Sequence, residues 1–96
     1  MKLDELADQV IDEASFIRFV EALAKDLDDE NEKEAENPSP PYGTGANGWE
    51  NKNLSDFLWT MSSWASLSKN GLPLYQNPEN PWSRMADILY AAKIYE

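Results

Sequence analysis

Apolar residues recur at helical spacing in four stretches of the chain. In the first, Leu3, Leu6, Ala7, Val10 and Ile11 share one face, the signature of a short amphipathic helix. In the second, Phe16, Ile17, Phe19, Val20, Leu23, Ala24 and Leu27 form a stripe, with Arg18, Glu21, Lys25 and Asp28 on the far side. At ~100° per residue the two stripes are out of phase by more than about 100°, so one straight helix cannot bury both. The pattern predicts a bend near Asp12 to Ser15, with Ser15 as the N-cap of the second helix, its hydroxyl accepting from backbone N–H groups of the first turn.

Beyond Leu27 the run "KDLDDENEKEAEN" has no apolar stripe, and its helix is predicted to fray around Asn31 to Glu36. "NPSPPYGTGANG" combines three prolines and three glycines, which stops any helix and predicts an irregular, mobile loop over residues 37–50. Asn53 followed by Asp56 then marks a helix start. That helix runs to about Ser68 with Leu54, Phe57, Leu58, Met61, Trp64 and Ala65 as its stripe, and Gly71 ends it in a left-handed turn. In the fourth stretch Asn80 caps and Pro81 takes the first helical position. Trp82, Met85, Ala86, Leu89 and Ala92 line one face, while Tyr90 and Ile94 lie off it, so neighbours or a partner are expected on more than half of that helix. The expected fold is all-α: a small single-domain bundle of about four helices over residues 1–96, with a long Pro/Gly-rich loop between the second and third.

Composition sharpens this picture at three points. A chain of 96 residues, 42% hydrophobic, with eleven aromatics among them, supports one core. No apolar run approaches a bilayer span, and the acids in "MKLDELADQV" are unlike a signal peptide, so a cytoplasmic location is expected. With neither cysteine nor histidine, disulfides, thiolate metal sites and the commonest general base drop out. Charge is uneven: residues 1–36 hold thirteen acids and four bases, residues 37–96 five and four, for a net −10. Such a field repels nucleic acid and anionic membranes and steers in basic proteins.

Candidate motifs thin out on inspection. Gly43, Gly45 and Gly48 spell G-x-G-x-x-G, but a dinucleotide site needs a strand before it and an acid at the end of a second strand, and neither pattern is present. The glycines read as a turn that brings Trp49 onto the first turns of the third helix; Trp49 and Trp82 read as core anchors. Asp26, Asp28, Glu30, Glu32 and Glu34 alternate like calcium ligands, yet Asn31 stands where the loop needs glycine and Asn37 where it needs a bidentate glutamate. They read as a solvated face, with Glu21/Lys25 and Asp29/Lys33 as helical ion pairs. No histidine activates the serines of "TMSSWASLS", so no catalytic residue, cofactor or metal is expected.

"GWENKNLSDFLWTMSSWA" and "NPWSRMADILYAAKIYE" resemble a family of small uncharacterised bacterial proteins, a domain of unknown function. The matching positions are Trp49, Glu50, Asn51, Phe57, Leu58, Trp64, Pro81, Trp82, Ala86, Asp87, Ile88, Leu89, Lys93, Ile94, Tyr95 and Glu96, and the likeness extends from Ser15 onward. The resemblance implies a shared fold and a packed C-terminus, and carries no activity.

The residue that stands out is Trp59, ~160° from the centre of its helix's apolar stripe and grouped with Ser62, Ser63 and Ser66. It is expected either to be covered by the same chain or to anchor an interface. Together the sequence favours a small acidic inhibitor, like an immunity protein, that neutralises a basic protein partner such as a bacterial toxin. Trp59, Glu21, Asp28, Asp29 and Glu32 are its candidate contacts. Two alternatives are an anti-defence mimic of nucleic acid, whose carboxylates occupy a phosphate-binding groove, and a self-associating domain.

Overall fold

The computed structural model describes residues 2–41, 43–51 and 53–95. Four helices follow in order: α1 (Leu3–Asp8), α2 (Glu13–Glu36), α3 (Leu54–Ser68) and α4 (Pro81–Ile94). The only extended pairing among the described residues is an isolated bridge between Leu72 and Tyr75, so the fold is all-α, as the hydrophobic pattern predicts. No helix among them is long and apolar enough to cross a membrane.

The break between α1 and α2 falls earlier than expected, at Gln9 to Asp12, and the N-cap is Asp12, not Ser15. The two residues form a reciprocal capping box. Oδ1 of Asp12 accepts from the Ser15 amide at 2.8 Å, and the Ser15 hydroxyl oxygen accepts from the Asp12 amide at 3.1 Å. A serine at the third helical position reaches back as well as one at the cap reaches forward, which is why the sequence alone misplaced the start. The Ser15 amide, and then its hydroxyl, hold the Asp12 carboxyl below its ordinary range. The caps of the later helices fall where expected. Asn53 accepts from the Ser55 and Asp56 amides, Asn80 from those of Trp82 and Ser83, and Gly71 turns with φ +86°.

Helix α4 is the centre of the bundle and packs against α1, α2 and α3. Its Ala86, Ala91 and Ala92 are buried, and short side chains there let neighbouring backbones approach closely. The core gathers Ala7, Val10, Phe19, Leu23, Trp49 and Ala86. Trp82 packs against Phe16 at 5.5 Å and Trp49 stacks on Phe57 at 6.2 Å, so both tryptophans anchor the core. Among the helices, α3 rests on α4 alone. Only a narrow stripe of it, including Thr60 and Ser68, is buried, and Leu54 and Leu58, expected inside, face solvent.

The acidic end of α2 departs most from expectation. It does not fray: the helix holds through Glu36 because the loop over 37–50 folds back onto its acids. Glu30 is fully buried, and its Oε1 accepts the backbone N–H groups of Asn47 (2.9 Å) and Trp49 (3.2 Å). Glu34 accepts from the Ala46 amide and from the amide and hydroxyl of Ser39. Asn47 donates to the Asp26 carbonyl and to Asp29, which also pairs with Lys33 at 2.8 Å. The row read as a solvated face is therefore divided: Glu30 and Glu34 hold the loop, while Asp28 and Glu32 stay exposed.

A second knot joins this loop to the end of α4. The Trp49 indole donates to Oδ2 of Asp26 at 2.8 Å, and the buried Lys93 ammonium meets the same oxygen at 2.9 Å, lying 5.5 Å from the Trp49 ring centroid. The Glu50 amide donates to the Lys93 carbonyl. The buried Asn51 amide caps α4 by donating to the carbonyls of Ala92 and Tyr95.

Candidate functional site

Helices α2 and α3 both lean on α4 and do not meet. The space between them is an apolar groove of about 390 Å³. Val20, Leu23, Ala24 and Leu27 form its α2 wall and Leu54 and Phe57 its α3 wall, over a floor that includes Trp49 and Leu89. Leu54 is 72% exposed, and Val20 is also open to solvent. One turn along α3 the apolar surface continues through Leu58 to Trp59, which is 71% exposed and shares a shallow depression with Ser55 and Ser62. No segment of the described chain covers Trp59.

The charges on α2 are sorted by face. At ~100° per residue, Glu13, Glu21 and Asp28 lie toward the groove, Lys25 follows just beyond Glu21 on the same exposed face, and Arg18 and Lys33 lie further round. Of the expected contact residues, Glu21 and Asp28 therefore border the groove. Glu32 is exposed further round the helix, and Asp29 is turned toward the loop, where Lys33 and then Asn47 hold its carboxyl below its ordinary range. Trp59 sits on the outer side of α3 and connects to the groove through Leu58 and Leu54. The five are thus not one patch. Of the two expected ion pairs, Asp29/Lys33 forms and Glu21/Lys25 does not.

A second concavity of about 430 Å³ lies where α1 meets α4 and the 74–78 segment. Three acids, Asp4, Asp8 and Asp87, line it together with Trp64, Tyr75, Tyr90 and Tyr95. The Tyr75 hydroxyl donates to Oδ2 of Asp87 at 2.7 Å. Arg84 donates to Tyr75, Ser68 and the Ala65 carbonyl, with its guanidinium 5.4 Å from the Trp64 ring. Burial first, and Asp8 further down, push the Asp87 carboxyl above its ordinary 3.8. Tyr75 is also raised, by burial and then by its bond to Asp87. Among the described residues no three acids converge closely enough to hold a metal ion.

Asp8 belongs to the last turn of α1, where a negative charge opposes the helix dipole, and it stands four residues from Asp4. Asp8→Asn is accordingly expected to raise the melting temperature at pH 7 by roughly 1–3 °C. The sign with pH follows from Asp87: its carboxyl is raised, so its contribution to stability is present below 3.8 and lost as pH rises through the folded value. The gain from Asp8→Asn therefore shrinks on acidification. Thermal melts at pH 7 and pH 3 check this, and an equal gain at both would refute the coupling.

Fold and surface together define a small acidic helical domain whose buried polar groups tie the 37–50 loop to α2 and α4. Residues 12–96 match the model of a family of unknown function, DUF7660, and the chain belongs to that family. No curated protein and no solved structure is detectably similar to it. The motifs that carried the resemblance have largely architectural roles: Trp49, Glu50 and Asn51 are tied to Lys93 and Tyr95 across the knot described above. Glu96 lies outside the described residues.

Two features escaped the sequence reading. Glu30 falls in phase with Phe19 and Leu23 on the α2 wheel, a signal available in the spacing but masked by the acids around it. The groove had no such signal, because Leu54 and Leu58 have core periodicity and only the position of α3 leaves them uncovered.

Proposed function

We propose that this chain is a small acidic binding protein that sequesters a basic protein partner, in the manner of an immunity protein acting on a bacterial toxin. The observation that carries the reading is the juxtaposition on α2 and α3 of outward acids with uncovered apolar side chains, ending in Trp59. Charge speeds and selects the encounter, and a desolvated aromatic slows release. Mimicry of nucleic acid is less well supported, because Glu30 and Glu34 are turned inward to hold the loop and break the outward row of carboxylates.

The test begins with recovery of partners from a lysate of the source organism at low and high salt, followed by binary titration of the purified partner. A basic partner is expected whose affinity falls at least about tenfold between 50 and 500 mM salt, with a loss of about tenfold or more for Trp59→Ala. Affinity that is flat with salt and indifferent to Trp59 would refute the reading. Sedimentation showing only concentration-dependent dimers would replace it with self-association.

A further inference from the structure

We propose that the groove between α2 and α3 is the docking site for a cationic amphipathic helix presented by the partner. The inference rests on the reading above and specifies how the partner is held. On the α2 wall, Val20, Ala24 and Leu27 stand at i, i+4 and i+7, and on the α3 wall Leu54 and Phe57 stand at i and i+3, with Leu58 extending the apolar surface one turn further. Two helical walls with this periodicity, resting on a common third helix, leave a trough that an added helix fills by ridges-into-grooves packing, with its own anchors at i, i+3 or i+4, and i+7.

Charge selects the occupant. The α2 rim carries Glu13, Glu21 and Asp28, with Lys25 one step beyond Glu21 and Arg18 and Lys33 further round, so it is acidic on balance, and among the described residues the α3 rim carries the uncharged Ser55 and Ser62. A helix with lysines or arginines along its α2-facing edge and small neutral residues along the other satisfies both rims. A second copy of this chain brings a net charge of −10 to a rim that is already acidic, which opposes self-docking. An extended strand finds no sheet edge among the described residues to extend.

The probe is a synthetic helix of about 20 residues with leucines at i, i+4, i+7 and i+11 and lysines along one flank. It is compared with an isomer bearing glutamates on that flank. Binding to the full chain is followed by anisotropy and by NMR shifts of the Val20, Leu27 and Leu54 methyl groups. The lysine peptide is expected to bind and the glutamate isomer to bind at least about tenfold more weakly. Leu54→Asp provides the decisive arm, because it adds negative charge at an exposed position where the fold is not at stake. Attraction by charge alone would strengthen, whereas docking in the groove is expected to weaken about tenfold or more. No binding, equal binding of both peptides, or undiminished binding to Leu54→Asp overturns the proposal. If the peptide fails while a basic protein is still captured in a salt- and Trp59-dependent way, the groove is wrong and the broader reading stands. If both fail, neither survives.

Discussion

Glu30→Leu is expected to lower the free energy of unfolding by about 2–4 kcal/mol, with the loop over residues 37–50 losing protection first. The substitution keeps side-chain volume and removes both oxygens. The Asn47 and Trp49 amides then have no acceptor from α2, in a site where Glu30 has no solvent exposure. A buried donor stripped of its partner costs about 1–3 kcal/mol, and two are affected. Against a total of about 5–15 kcal/mol for a domain of this size, the loss is large. Glu32→Leu, two residues on and exposed, is the matched control and is expected to stay within about 0.5 kcal/mol of the parent. Urea titration of both variants, with amide exchange at Asn47 and Trp49, decides the matter. Equal midpoints for the two leucine variants would show that Glu30 does not hold the loop.

The contrast between Glu30 and Glu32 also shows what the sequence does and does not disclose. Helices were legible because apolar periodicity and caps act locally: Asn53, Gly71, Asn80 and Pro81 each do in the structure what their chemistry predicts. The acids were illegible because their roles are decided by a segment many residues away. Glu30 meets Asn47 and Trp49 only after the loop folds back, so composition alone gives it the same meaning as Glu32. The α3 stripe failed for a related reason. Leu54 and Leu58 have the phase of core residues, but burial needs a neighbour, and α2 does not reach them. Trp59 was legible as lying off the core stripe, but whether another part of the chain covers it depends on the placement of the loop and the other helices, which its spacing does not encode.

The same clamp separates the three glycines of the G-x-G-x-x-G run into three physical cases, which gives the most discriminating prediction. Gly43→Ala is expected to change stability by no more than about 0.5 kcal/mol, since its added carbon would lie 3.7 Å from the Pro40 carbonyl oxygen, an ordinary contact. Gly48→Ala is expected to cost about 1 kcal/mol: nothing lies within 4 Å of the new carbon, but φ is +83°, where an L side chain is strained. Gly45→Ala is expected to cost about 3 kcal/mol, because its Cβ would fall 2.2 Å from both Cδ and Oε1 of Glu30. Glu30 cannot give way without releasing the two amides it accepts from. The cause is therefore testable by a double-mutant cycle: in a Glu30→Ala background the contact is gone, and Gly45→Ala should cost at least about 2 kcal/mol less than in the parent. Additive costs would mean that Gly45 is constrained by something other than the carboxyl group beneath it. Coupling of the expected size would establish that Gly45 is there to let a backbone close over a buried acid, the reverse of the phosphate-binding role the run's spelling suggests.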